Sequence, residues 1–300
     1  EIFYRSLNLS LRDESIYIQA ANLGNSEVDI AIASSRFYSM TRPVGRTLRI
    51  ASALSPDSIE KINIHAMNGD FEVAKLSFSR EEFDKANADN ISEVELLNKT
   101  VIQSDSAAPL YKKASFMPTV NFPEFDWSMS PALKHQIGGP EGFYLGQLFW
   151  KTDTSIKFRR NLTLYSSFGI NLYDTFNDFN NRSSSTIPHV RSDIQDYLSE
   201  GKNNIQRMQL EYFSSPFKDI FFRADLGLLE EMFAGVGGEI LYRPFEKPYS
   251  FGLTLHKVRQ RDYDQLFSLR KYSTVTGHLG FYADLPRQIQ AQILMGKYLA

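Results

Sequence analysis

The feature that most constrains this chain is an alternation of apolar and polar residues, repeated segment after segment from Trp127 onward. Leu162, Leu164, Phe168, Ile170 and Leu172 recur at every second position, with Ser166 completing the series and Thr163, Tyr165, Ser167 and Asn171 between them. The same period carries Met208, Leu210 and Tyr212, then Ile220 to Leu228, Ala234 to Tyr242, Val275 to Ala283, and Ile289 to Met295. A period of two puts each apolar set on one face of a strand. The region 122–300 is therefore predicted to be antiparallel β, with about nine strands if Phe122–His135 is the first. Several runs reach about 10–15 residues, beyond the usual globular strand and long enough to cross a bilayer when tilted.

The connections sharpen this. Short turns are predicted near Thr152–Thr154, Ser214–Phe217, Pro244–Pro248 and Asp284–Arg287. Between them fall a long polar connection (Tyr173–Asn203), a charged one (Glu230–Met232) and a basic-acidic one (Arg259–Lys271). That order suits an up-and-down barrel with short turns at one end and loops at the other; a Greek-key sandwich is not expected to keep it. An inward apolar face would make a small soluble barrel. An outward one would make a membrane barrel with a polar lumen. Strand length favours the membrane.

Composition agrees. No stretch approaches the roughly 18 apolar residues of a membrane-spanning helix, which leaves spanning strands open. The 23 Phe and 15 Tyr suit strands and interfacial girdles. A net charge of -2 gives no field favouring nucleic acid. There is no cysteine, which excludes disulfides and thiolate chemistry. The chain opens at Glu1 without a signal peptide and ends inside a strand-like run, so it reads as an internal fragment of a longer protein.

The first hundred residues differ. Ser15–Ala21 and Glu27–Ala33 read as a hairpin. Ser39–Leu54, with Pro43 in its first turn and Val44, Leu48, Ala51 and Leu54 on one face, reads as a helix. Ser58–Met67 and Phe71–Phe78 flank Asn68-Gly69, a hairpin signal. Ser79 and Glu82 form a capping box, and Ile91–Leu97 a further helix. The order ββαββα predicts a small α+β domain, with one helix across a sheet, over 1–105. The polar, aperiodic stretch Asn98–Ala114 reads as connecting chain, so that 106–121 links this domain to 122–300. Asp70 and Glu72 flank a turn and are expected to be solvated. His65 is expected to be a satisfied structural histidine without acidic company.

Four segments carry a family likeness: IPHVRSDI (Ile187–Ile194), LLEEMFAGVGGEILYRPF (Leu228–Phe245), VRQRDYDQLF (Val258–Phe267) and VTGHLGFY (Val275–Tyr282). With the ββαββ segment before them, the chain resembles the YjbH family of exopolysaccharide-biosynthesis outer-membrane proteins, related to the GfcD component of group 4 capsule systems. The resemblance implies an outer-membrane β-barrel that takes part in secreting or assembling an extracellular polysaccharide, with the α+β domain in the periplasm. It implies partners in the polymer, in outer-membrane lipid, and in lipoprotein and periplasmic components of the same export system. It brings no enzymatic motif and no cofactor.

Placed on that topology, Arg207, Arg223, Asp225, Glu239, Arg243 and His278 are expected to face the lumen. Arg259, Arg261 and Asp262 lie in a loop, where charge-assisted hydrogen bonds to a hydroxyl-rich polymer compete with internal pairing. Gly235, Gly237 and Gly238 are expected to curve the wall or let a chain pass close to it. Glu230 and Glu231 are adjacent, so they do not converge on one glycosidic bond. His135, His189, His256 and His278 show no metal-ligand spacing. A soluble β-rich lyase or hydrolase and a soluble ligand-binding barrel are the alternatives.

Overall fold

The computed structural model describes the chain apart from Ser35, Tyr38, Gly69, Asp70, residues 105–109, Lys113, Pro140, Glu141, residues 177–192 and Ala300. Two compact units result, one built on Glu1–Val120 and the other on Asn121–Ser214 and Ile220–Ala300. Asp70, His189 and most of the IPHVRSDI segment lie outside the described residues.

The first unit runs α1 (Ile2–Asp13), β1 (Tyr17–Leu23), β2 (Glu27–Ala33), α2 (Thr41–Leu54), β3 (Lys61–Asn68), β4 (Phe71–Ser79), α3 (Arg80–Asn87), α4 (Glu93–Lys99) and β5 (Val101–Gln103). Its sheet has the order β1-β2-β3-β4-β5. Neighbours are antiparallel except β2 and β3, which α2 joins in parallel. Alternation on β2 and β3 buries Val28, Ile30, Ile32, Ile62 and Ile64 against Leu7 and Leu11 of α1 and Val44, Leu48 and Ala51 of α2. Two helices, not one, therefore cover the sheet. The first lies in a short polar segment whose Leu7 and Leu11 are spaced for one helix face. Ser79 Oγ caps α3 by accepting from Glu82 N, and Ser92 caps α4 by accepting from Glu95 N. Within the stretch read as connecting chain, β5 extends the sheet and Leu110 is buried with Ala20, Ala31 and Met67. Phe116 exchanges two backbone hydrogen bonds with Ala21, at 2.8 and 2.9 Å.

The second unit is a nine-stranded antiparallel meander: β6 (Glu124–Gly139), β7 (Gly142–Arg159), β8 (Leu162–Asp174), β9 (Asn204–Phe217), β10 (Ile220–Leu228), β11 (Phe233–Tyr242), β12 (Tyr249–Arg261), β13 (Leu269–Leu285) and β14 (Ile289–Lys297). Each strand pairs with its sequence neighbours, and β6 and β14 are the edges. No closed barrel forms among the described residues. The turn expected at Thr152–Thr154 is instead the middle of β7, where Asp153 sits between Ser128 and Ser167 in register. Threonine tolerates a strand well, and the reversal falls at Arg160–Asn161. A short helix, α5 (Ile194–Glu200), lies in the long connection before β9.

The sheet is strongly curled. Lys134 of β6 reaches Glu231, between β10 and β11, with Nζ 2.6 Å from the carboxylate. A flat sheet would hold those strands about 19–24 Å apart. Likewise Leu198 of α5 packs with Leu145 of β7, while the adjacent Tyr197 packs with Val258 of β12. Glycines admit close strand approach in the wall. A Cβ at Gly235 would lie 2.3 Å from the Lys257 carbonyl oxygen, and one at Gly238 would lie 2.5 Å from that of Arg223.

Candidate functional site: the polar face of the nine-stranded sheet

Register assigns the two faces of the second unit. Ile240, Leu253, Leu279 and Met295 are successive cross-strand partners on β11 to β14. They are 47, 39, 65 and 69% exposed, so among the described residues neither a second sheet nor a helix covers these positions. Antiparallel partners share a face, so Arg223, Glu239, Thr254 and His278 form the corresponding row on the other side. Lys134 lies on that side of β6 and α5 packs there, which makes the polar face the concave one.

Along this face opposite charges are paired both within and across strands. Arg223 of β10 lies 3.4 Å from Glu239 of β11 and 3.9 Å from Asp225. Asp225 is buried and lies 3.1 Å from Nε2 of His256, two strands away. On β9, Arg207 donates to Gln209 at 2.8 Å and to Glu211, and its guanidinium stands 5.4 Å over the Tyr165 ring. Farther round, Lys151 pairs with Asp153 at 2.9 Å, and Lys157 with Glu124 at 3.2 Å. The wall thus offers hydroxyl, amide, carboxylate and guanidinium groups with little net field, a chemistry suited to hydrogen bonding with a hydroxyl-rich chain. Among the described residues no group of three or more His, Cys, Asp or Glu is placed to hold a metal ion.

Of the residues expected here, Arg207, Arg223, Asp225 and Glu239 are brought together on adjacent strands. His278 shares the face, with its ring 4.2 Å from that of Tyr298. Arg243 lies just beyond β11 at the short-turn end, exposed and 3.9 Å from Asp284. Arg259 is a correction. It is the register partner of Ala234 and Ser273 and belongs to the apolar face, because the β12 alternation Leu253, Leu255, Lys257, Arg259 continues one parity. Arg261 is a second correction. It is fully buried, and its guanidinium donates to the carbonyls of Glu230 (2.7 Å), Gln265 and Leu266 (3.0 Å). It organises the loop and is not available to a polymer. Asp262 also acts internally, accepting from Arg270 at 3.1 Å and from the backbone of Tyr263 at 3.0 Å. His256 was missed: its parity was legible, but its partner is 31 positions away.

Two of the family-like segments, Leu228–Phe245 and Val258–Phe267, meet α5 at this loop end. Tyr197 hydroxyl donates to the Arg261 carbonyl at 2.6 Å, and Gln265 donates to the Tyr197 carbonyl at 2.7 Å. Tyr197, Met232, Phe233 and Val258 form a small buried core. Burial pushes the Tyr197 phenol up to about 12, so it stays protonated and donating. Glu231 is held by Lys134, with Nζ 2.6 Å from its carboxylate.

The first unit holds a separate titratable cluster. His65 is buried with Nδ1 2.6 Å from Glu72 and Nε2 3.1 Å from Asp29. Glu72 is therefore buried, not solvated, and His65 does have acidic company. The pairing of Met67 with Glu72, after a register shift at Ala66, turns the carboxylate inward. Burial works against the charged imidazole, but the hydrogen bonds to Asp29 and Glu72 outweigh it and raise the His65 pKa. For Asp29, burial is outweighed by His65 and Lys75, and its pKa is lowered. Both ring nitrogens are engaged, so His65 is not an open general base.

An amphipathic, curled meander with a charge-paired polar face, following a small α+β unit, defines a mainly antiparallel β protein with a few helices. The comparisons give the family. Residues 4–300 match the YjbH family, described as exopolysaccharide biosynthesis protein YbjH, and the chain belongs to it. It is 34% identical over 190 residues to the uncharacterized lipoprotein YjbH of Escherichia coli (strain K12); the match covers 59% of this chain and 26% of that protein. The chain thus aligns with about a quarter of that relative. No solved structure matches it. No described helix is long and apolar enough to cross a membrane, which says nothing of strands.

Proposed function

We propose that the second unit is part of a transmembrane β-barrel in the outer membrane of a Gram-negative bacterium, and that it takes part non-catalytically in exopolysaccharide or capsule secretion or assembly. One observation carries the membrane reading: nine consecutive strands curl with their charged face inward and leave most of their apolar face exposed. That arrangement is stable in lipid and unfavourable in water, where exposed apolar patches of soluble monomers are usually far smaller. Lipid does not tolerate open sheet edges, so β6 and β14 are completed by further strands of the whole protein. The first unit lies in the periplasm, the short turns on that side, and the loop end bearing Arg261 on the outer side. The family description supports the polysaccharide role. The concave wall, whose charges are paired, guides or anchors a hydroxyl-rich polymer, and lipoprotein and periplasmic components of the export system are its partners.

Fractionation of cells expressing the full-length protein tests this. It is expected in the outer membrane, with a mobility on gels that shifts on heating, and deletion of the gene is expected to reduce surface polymer. Recovery in the soluble periplasm without detergent removes the membrane reading. Release of shortened sugars by the purified protein removes the non-catalytic one.

A further inference from the structure

On the apolar face of β11, β12 and β13 the charged residues are Lys257, Arg259 and Lys271, and all are cations. With Val236, Leu269 and Ser273 they line one open pocket of about 570 Å³ at the loop end of these strands. All three side chains come from exposed positions. Arg259 Nε donates to the Arg270 carbonyl at 2.5 Å. Among the described residues, no carboxylate pairs with any of the three. The contrast with the concave face, where opposite charges pair within and across strands, is sharp. Single cations flanking an apolar belt are ordinary, because their stems lie along it and their heads reach water. Three converging on one pocket repel one another until an anion joins them. Directly along the same strands lie exposed Leu255, Val275 and Leu279. The pocket therefore joins a cationic cradle to an apolar strip.

We infer that this pocket binds the phosphate-bearing headgroup of a membrane lipid, with the acyl chains laid on the apolar strip. The inference rests on the membrane reading above. The guanidinium of Arg259 supplies a planar fork for phosphate oxygens, and the two lysines supply point charges. An amphiphile fits both parts of the site, whereas a free phosphate uses only the cradle.

The test uses the full chain, in detergent and in phosphatidylcholine vesicles. Native mass spectrometry would follow retention of diphosphorylated lipid A, of its dephosphorylated counterpart, and of lipid challenged with equimolar inorganic phosphate. The phosphorylated lipid is expected to be retained well over the dephosphorylated one and not displaced by inorganic phosphate. Lys257→Gln, Arg259→Gln and Lys271→Gln should each weaken retention about five-fold. Lys257→Arg and Lys271→Arg should preserve it, as should Lys151→Gln on the opposite face. Equal retention without phosphates, unchanged retention by the triple Gln variant, or displacement by inorganic phosphate overturns the proposal. Vesicle insertion and heat-shifted mobility are read on the same samples. Failure of the unaltered chain to insert removes the membrane reading, while insertion without phosphate discrimination removes only the lipid site.

Discussion

The ammonium of Lys134, on edge strand β6, lies 2.6 Å from the carboxylate of Glu231 in the β10–β11 turn. Four to five strand spacings separate those elements along the sheet, more than the two side chains span together. Their contact defines the curl, and the curl makes the charged face concave. The pair is partly exposed, so its own stabilisation is small, about 0–1 kcal/mol.

The curl can be tested chemically. Carbodiimide treatment of the folded protein should join Lys134 to Glu231 as an amide, detected as a linked peptide pair by mass spectrometry. Lys134→Arg should abolish that product. A wild-type digest lacking the linked pair would mean a flatter sheet.

Leu279→Arg separates lipid from water as the surroundings of the apolar face. Leu279 is 65% exposed. In water, such a surface change is expected to alter stability by no more than about 0.5 kcal/mol. Facing lipid near mid-depth, it should cost about 2–4 kcal/mol. Urea-dependent folding into vesicles gives the number, and the larger cost is expected.

Arg261→Ala should be strongly destabilising at the loop end. It removes the Arg261 donor from the Glu230 and Leu266 carbonyls and one of two donors from the Gln265 carbonyl, which keeps the Ile205 N–H, and it leaves a void where the fully buried guanidinium stood. Hydrogen bonds to charged groups contribute about 1.5–3 kcal/mol, and a loss of about 3 kcal/mol is expected. Arg261→Lys should recover little, because an ammonium lacks the planar fork that meets carbonyls from separate turns. Proteolysis between Asp262 and Ser268 should accelerate in both variants. Unchanged cleavage would refute the organising role of Arg261.

The Asp29–His65–Glu72 cluster predicts a pH window for the first unit. A raised His65 pKa contributes stability that is fully present below its ordinary 6.5 and is lost as pH rises through the raised value. A lowered Asp29 pKa contributes stability present above its ordinary 3.8 and lost as pH falls through the lowered value. Hydrogen-exchange protection of β3, corrected for intrinsic rates, should therefore peak between the two. His65→Gln should cost about 3 kcal/mol by removing a charged partner from the buried Glu72 and from Asp29, which keeps Lys75, and should flatten the alkaline limb. An unaltered limb in that variant would assign the titration to another group.

Much of this protein is local and so was legible in its residues. A period of two defined the apolar and polar faces of the strands, and the spacing of Val44, Leu48 and Ala51 placed α2. Four segments pointed to the family. Local spacing could not say which residues meet across strands. Arg259 and Arg261 stand two positions apart and share a nominal parity, yet one is exposed on the apolar face and the other is wholly buried. The cause is a register shift between them, where the β12–β13 pairing gives way to a loop. Asp225 finds His256 across two strands, and Lys134 finds Glu231 through the curl of the whole sheet. Register, bulges and curvature arise from hydrogen bonds and packing among residues distant in the chain, so only the tertiary structure decided which side chains form the concave wall.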